Sequence, residues 1–312
     1  MKKKYLVTGG LGFIGKAISK SLLEKNNKVL IFDNNFRKKN SFLTHKNLKI
    51  IKGDIRNINE LKKITKNIDA VIHLAAINGT NYFYEKSELV LDVGLKGILN
   101  IIDVCKINNI KEIFLASSSE VYQDAPYFPT DEKVRLIIPN PHNPRFSYSS
   151  SKIISELLLL NSKFFKKVII FRPHNIYGPD MGFNHVIPEI INKVFHSKKN
   201  ISIQGDGNNK RSFCYIDDFV EGLNILLKKG KNKEIYNIGS SEEIKILNLS
   251  KLIIKLIKKD VSIKKSSKTF YNAKRRLPDL IKINSIGYNP KVNLKNGLIR
   301  TINWYKDNHY KS

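Results

Sequence analysis

A chain of 312 residues is long enough to bury a large core, as one big α/β unit or as two smaller domains. With 41% hydrophobic and 26% charged residues, it has the make-up of an ordinary globular protein, which excludes disordered, collagen-like and disulfide-scaffold classes. The 55 Lys+Arg against 27 Asp+Glu give a formal charge of +28. The lysines stand in short scattered groups (Lys2-Lys3-Lys4, Lys38-Lys39, Lys198-Lys199, Lys264-Lys265), so the charge favours a small anionic substrate over a nucleic acid or a membrane.

The opening MKKKYLV has the charge of a signal segment, but Gly9-Gly10 cuts its apolar run too short for export or for a membrane span, and a cytoplasmic protein is expected. Short, largely apolar runs at 5–8, 29–32, 48–52, 70–74, 113–116 and 168–171 read as strands of a sheet covered on both faces. Helix-length patterns at 13–25, 58–65, 90–108 and 147–163 separate them. The alternation predicts an α/β fold, a doubly wound parallel (Rossmann-like) sheet. After Arg172 the pattern is broken by Pro173, Gly178-Pro179, Pro188 and Gly205-Asp206-Gly207, which places a smaller, discontinuous substrate-binding region there. A helix at 216–228 and a strand at 234–238 are expected to return to the main sheet. The division expected is 1–172 with 212–240 for a dinucleotide, and 173–211 with 241–312 for the substrate. Cys105 and Cys214 have neither framework spacing nor a CxxC motif, which suits a reducing compartment and no metal site.

Thr8-Gly9-Gly10-Leu11-Gly12-Phe13-Ile14-Gly15 follows the first strand and opens the first helix, with Gly9, Gly12 and Gly15 three apart. Glycines so placed allow a tight turn, close approach of backbone to a pyrophosphate and close packing of helix on strand, with the helix N-terminus facing the negative charge. Asp33 ends the next strand, the position from which a carboxylate accepts hydrogen bonds from ribose hydroxyls and repels a 2′-phosphate. That favours NAD over NADP, although Arg37, Lys38 and Lys39 follow closely. Asp54, after the third strand, can meet the adenine amino group or cap a helix.

Tyr148-Ser149-Ser150-Ser151-Lys152 sets a phenol and an ammonium one helical turn apart on one face. A nearby ammonium is expected to lower the phenol's pKa from about 10, so that tyrosinate can accept a sugar-hydroxyl proton near neutral pH. The serine run 117–119 leaves the fifth strand at the carboxyl edge of the sheet, where Ser118 or a neighbour can hydrogen-bond the same hydroxyl.

Taken in order, TGGLGFIG at 8–15, GDI at 53–55, HLAA at 73–76, SSSEVY at 117–122, YSSSK at 148–152, RPHNIYGP at 172–179, RSFCYIDD at 211–218, YNIG at 236–239 and RRLPD at 275–279 resemble one family over nearly the whole chain. It is the extended short-chain dehydrogenase/reductases, specifically the NAD-dependent nucleotide-sugar epimerase/dehydratase group. The resemblance implies NAD as cofactor, held by Gly9, Gly12, Phe13, Ile14, Gly15, Asp33, Asn34, Asp54, Ile55, Leu74, Ala75 and Ala76 together with Tyr148 and Lys152. It implies Tyr148 as the acid/base, Lys152 as holder of the nicotinamide ribose, and Ser118 as the serine of the triad. Asn175, Arg211 and Arg276 would hold a nucleotide diphosphate, with Arg275 beside them. Arginine forks match phosphate geometry, and a salt-bridge role for these arginines stays open. Two departures stand out: Gly94 where the group often carries an asparagine near the cofactor, and Asn78-Gly79-Thr80 in a loop that commonly helps shape the sugar pocket. The resemblance also implies a homodimer on a four-helix interface, built from the helices at 90–108 and 147–163, the second with apolar Leu157 to Leu160.

The shared first step implied is loss of the sugar 4-hydroxyl proton to Tyr148 with hydride transfer to NAD, giving a 4-keto intermediate. Epimerases return the hydride to the other face, 4,6-dehydratases also need a base and an acid, and decarboxylases lose carbon dioxide. Glu120 stands where dehydratases and decarboxylases carry a glutamate and is the candidate second base. Ser119 replaces the aspartate common in dehydratases, and serine is a poor proton donor to a leaving hydroxyl. The Ser-Ser-Glu run and Asn143-Pro144-Arg145 lie nearer to UDP-glucuronate decarboxylases and some epimerases. Epimerisation at carbon 4 is therefore expected first, then decarboxylation or dehydration, then simple 4-dehydrogenation. A non-enzymatic NAD-sensing regulator is the alternative from another class, but such proteins tend to lose the Tyr-Lys pair.

Overall fold

Valine, isoleucine and phenylalanine crowd the expected strands, and their branched or aromatic side chains suit a sheet covered on both faces. The computed structural model describes residues 2–37, 43–266 and 273–310. Of the basic groups, Lys38 and Lys39 lie outside the described residues. In chain order the elements run β1 (Lys4–Thr8), α1 (Phe13–Glu24), β2 (Lys28–Asp33), β3 (Leu48–Lys52), α2 (Ile58–Ile64), β4 (Ala70–His73), α3 (Thr80–Glu85), α4 (Ser87–Ile107), β5 (Glu112–Ala116), α5 (Ser147–Leu160) and β6 (Lys167–Pro173). There follow β7 (Ile176–Tyr177), α6 (Val186–His196), β8 (Asn200–Gln204), β9 (Lys210–Ser212), β10 (Cys214–Tyr215), α7 (Ile216–Lys229), β11 (Glu234–Ile238), β12 (Glu243–Lys245), α8 (Ile246–Ile257), β13 (Ser262–Ser266), β14 (Arg275–Arg276), α9 (Ile281–Asn284) and α10 (Leu294–His309).

Two compact units divide the chain: Met1–Val121, Leu136–Arg172 and Leu223–Tyr236 form the first, and Tyr122–Arg135, Pro173–Gly222 and Asn237–Ser312 the second. The main sheet has seven strands in the order β11-β6-β5-β4-β1-β2-β3, parallel from β3 through β6, so the α/β doubly wound fold is present and β11 joins its far edge. Strand order reverses between β1 and β4, and in such sheets the crevice at the carboxyl ends beside that reversal receives ligands. Thr8 ends β1 there, with His73 of β4 beside it in register.

Every residue of β4 is buried, and Val71, Ile113 and Leu115 pack beneath Val90, Ile98, Ile101 and Val104 of α4. Each such side chain contributes about 1.5–3 kcal/mol when fully buried. Helices α4 and α5 lie unusually close. A Cβ on Gly94 would stand 2.7 Å from Cβ and Oγ of Ser151, so the space that an asparagine would need is filled by the helix carrying Tyr148 and Lys152. Helix α5 is fixed to the sheet by a buried fork: Nε of Arg172 donates to Oε1 of Glu156 at 2.9 Å and Nη2 to Oε2 at 2.6 Å.

Within the second unit, buried Asn237 gathers polar partners. Its Oδ1 accepts from Tyr122 Oη at 2.7 Å and lies 3.0 Å from His174 Nε2, while its Nδ2 donates to the carbonyl of Thr130 at 3.0 Å.

Three local expectations change. Helix α5 ends at Leu160 rather than at 163, because the chain turns at Asn161 and Ser162 to bury Phe165. The expected loop at 78–80 opens helix α3, with Gly79 at φ +145°, a conformation glycine allows. Asp54 does not cap α2; Asn57 does, its side chain accepting from the N–H groups of Asn59 and Glu60. Cys105 and Cys214 are free and buried.

Candidate active site

The glycine loop occupies the β1–α1 turn. Gly9 has φ +70°, and a Cβ there would meet Cα and N of Ala75 at 2.8 Å, so only glycine lets the loop lie against the end of β4. Gly12 caps α1 without a side-chain hydrogen bond, and no acidic residue sits in the first turn, which begins at Phe13 and Ile14. Its N–H groups and positive helix end are thus left to an external anion. Asp33 Oδ2 accepts from Leu11 N–H at 3.0 Å and Oδ1 from Asn35 N–H at 2.7 Å, fixing the carboxylate beside the loop. Leu74 N–H reaches the Thr8 carbonyl at 3.1 Å, and Ala75 N–H reaches Thr8 Oγ1 at 3.4 Å, with Ala76 partly buried next in line. These residues form a cradle that fits a dinucleotide.

Asp54 is held in place by its neighbours. Arg56 grips it through Nη2 at 2.7 Å and Nε at 3.0 Å, Asn34 Nδ2 adds 3.3 Å, and the Arg56 hydrogen bonds pull its carboxyl down to about 2. Ile55 is buried under α4, filling the place a Cβ on Gly97 would take.

At the carboxyl end of β5 the Tyr148, Lys152 and Ser118 set comes together. Lys152 Nζ donates to the Ala116 carbonyl at 2.8 Å and sits 5.6 Å from the centre of the Tyr148 ring. Burial pushes Lys152 down to about 8, against the opposing pull of Glu156. Tyr148, 6% exposed, does not show the lowered pKa expected of it. Burial pushes the phenol up, Glu120 adds to this, and a hydrogen bond with Ser118 and the charge of Arg37 only partly oppose it. Withdrawal of the phenol from water is the largest of these effects and sets the direction. Ser118 Oγ also accepts from Glu120 N–H at 3.2 Å.

Glu120 is not a free carboxylate. Arg145, itself buried, donates through Nη2 to Oε2 at 2.7 Å. Phe83 of α3 stacks on Tyr148 with centroids 5.2 Å apart and planes at 13°, and the Arg145 guanidinium lies 5.0 Å from the Phe83 ring centre. Sequence reasoning singled out Arg145 within Asn143-Pro144-Arg145 but missed its pairing with Glu120, and it missed Phe83 altogether, whose only signal was an aromatic residue in the segment after HLAA.

In the second unit Arg211 and Arg276 are buried and occupy paired positions on β9 and β14. Arg211 donates to the carbonyls of Lys210 and Ala273. Asn175 Nδ2 donates to the carbonyl of Ser212 at 2.8 Å, tying it to the same strand. Two guanidinium groups side by side concentrate charge suited to a diphosphate. Arg275 instead takes the salt-bridge role, its Nε 2.7 Å from Glu243 Oε1. Among the described residues no His, Cys, Asp and Glu cluster could hold a metal, and no helix is long and apolar enough to cross a membrane.

A family model described as NAD dependent epimerase/dehydratase matches residues 5–239. The chain belongs to this NAD-dependent epimerase/dehydratase family. It is accordingly an NAD-dependent enzyme of nucleotide-sugar modification. Relatives in the family perform different reactions. A dTDP-D-glucose 4,6-dehydratase from Dictyostelium discoideum is 35% identical over 81% of this chain, which spans 62% of that longer protein. A UDP-N-acetyl-alpha-D-glucosaminuronate decarboxylase from Bacillus cytotoxicus is 32% identical over 98% of this chain and 99% of its own. Among solved structures, a UDP-N-acetylglucosamine 4-epimerase from Methanobrevibacter ruminantium M1, in complex with UDP-N-acetylmuramic acid, is similar with TM-score 0.88 and 28% identity, covering 98% of this chain and 99% of that one. A dTDP-glucose 4,6-dehydratase from Bacillus anthracis in complex with NAD gives TM-score 0.84 at 25% identity over 98% and 97% of the two chains.

Proposed function

We propose that the enzyme is a nucleotide-sugar epimerase acting at carbon 4 of the sugar through a transient 4-keto intermediate. The observation that carries this reading is the Glu120–Arg145 ion pair at 2.7 Å. Elimination of water needs a free base and a matching acid. Here the carboxylate is engaged by a guanidinium, and the neighbouring acid position is Ser119, itself buried. Epimerisation asks only for one group that removes and returns a proton, and Tyr148 is that group.

In this reading the first unit holds NAD through Gly9, Gly12, Gly15, Asp33 and the uncapped start of α1. NAD, once bound, supplies the acceptor and later the donor of the carbon-4 hydride. Tyr148 takes the 4-hydroxyl proton, Ser118 orients that hydroxyl, and Lys152 carries charge beside the phenol. Arg211, Arg276 and Asn175 take the diphosphate. The 4-keto sugar turns, receives hydride on its other face and regains its proton from Tyr148. A homodimer through α4 and α5 is proposed as well, on the strength of Leu99, Ile107 and Leu157, which are 48%, 58% and 55% exposed.

Incubation with UDP-, dTDP-, GDP- and CDP-sugars, followed by mass and NMR analysis, tests the reading. Unchanged mass with altered ring couplings is expected. Loss of water or of carbon dioxide, or accumulation of NADH, would replace epimerisation by dehydration, decarboxylation or net oxidation.

A further inference from the structure

The aromatic stack beside Tyr148 leads directly to a charged pair. Phe83 lies parallel to the phenol ring, the Arg145 guanidinium lies over Phe83, and the same guanidinium holds Glu120. All four residues belong to the first unit, and Arg145 is 3% exposed. We propose that Arg145 is a positioning residue for the acid/base chemistry of Tyr148: it screens the Glu120 carboxylate from the phenol and holds Phe83 against the ring. The proposal rests on the reading of Tyr148 as the proton acceptor.

Like charge sets the cost of ionising the phenol. A carboxylate close to a phenol opposes formation of phenolate, and Glu120 does so here. An opposite charge bound to that carboxylate reduces its field, and a buried guanidinium is screened little by water. The groups that face Tyr148 are Glu120 and Ser118 from the turn after β5, Arg37 from the segment after β2, Lys152 one turn along α5, and Arg145 through Phe83. Arg145 is the cation bound directly to the one anion in this set.

The test uses the NAD-loaded protein with ring-labelled tyrosine. The Tyr148 resonance, assigned by its loss in Tyr148→Phe, is followed against pH by NMR, and kcat/KM is followed over the same range. Arg145→Met is expected to raise the Tyr148 midpoint by about one unit, the low end for an unscreened like charge. It should lower kcat/KM about tenfold below that midpoint while leaving KM nearly unchanged. Arg145→Lys, which keeps the charge, should stay near the parent. The double variant Arg145→Met/Glu120→Gln should return to the midpoint of Glu120→Gln alone. If Arg145→Met fails to fold, Arg145→Gln carries the same expectation. An unchanged midpoint in the neutral variants, or a raised one that persists in the double variant, overturns the proposal. Because the NMR midpoint needs no turnover, absence of any sugar product would count against the epimerase reading and leave this test standing.

Discussion

Replacing Glu156 by leucine strips the partner from a guanidinium that has almost no access to water. Arg172 is 1% exposed and donates two parallel hydrogen bonds to that carboxylate, at 2.9 and 2.6 Å. Removing one member of a buried pair leaves an uncompensated charge and costs about 3–5 kcal/mol. At about 2.1 cal/mol/K of unfolding entropy per residue, each kcal/mol moves the Tm of a 312-residue chain by roughly 1.5 °C, so a fall of roughly 5–8 °C is expected in far-UV circular dichroism melts. Removing both charges in Glu156→Leu/Arg172→Met should recover stability to within about 2 kcal/mol of the parent, since apolar groups of similar volume replace buried pairs at little loss. A single variant that loses less than about 1 kcal/mol, or a double variant as unstable as the single one, would refute the reasoning.

Gly94→Ala should reduce both stability and turnover, because the new methyl meets Ser151 on the helix that carries Tyr148 and Lys152; Gly94→Ala/Ser151→Gly should recover part of each, read by melts and initial rates. Burial, with Lys152 adding, pulls His73 from 6.5 down to about 3, so its neutral form supports the fold fully above pH 6.5 and that support is lost as pH falls toward 3. His73→Gln should therefore flatten the acid side of a urea-stability profile by up to about 1.4 kcal/mol per pH unit in that window; an equally steep profile would contradict the assignment. Leu157→Glu, at a position 55% exposed on α5, should shift the species seen by light scattering toward monomer if the proposed dimer uses that face.

The parallel strands were legible because all but the edge strand β3, which exposes Lys49 and Lys52, are apolar on both faces, and their boundaries agree with expectation to within two residues. Helix α3 was not, since six residues beginning after Asn-Gly carry too short a periodicity to separate from a turn. The glycine loop, Asp33 and the Tyr148 and Lys152 spacing are local patterns, so sequence alone exposed them. What depended on distant partners stayed hidden: Arg56 on Asp54 could be guessed from adjacency, whereas Arg145 on Glu120, 25 positions away, could not. The phenol's upward shift was also invisible, because it follows from how much water the fold removes rather than from which residue stands four places on.

The seventh strand of the main sheet arrives late. Strand β11 comes from 234–238, more than sixty positions after its neighbour β6. A protein cut after Arg172 would keep every residue of the Tyr148, Lys152 and Ser118 set, yet β6 would become a bare margin whose sequence KVIIFRP is largely apolar. Unpaired margins of that kind recruit other chains. Expression of the front half alone should therefore yield insoluble material, and adding back a covering strand or charged residues at that margin should be the first remedy.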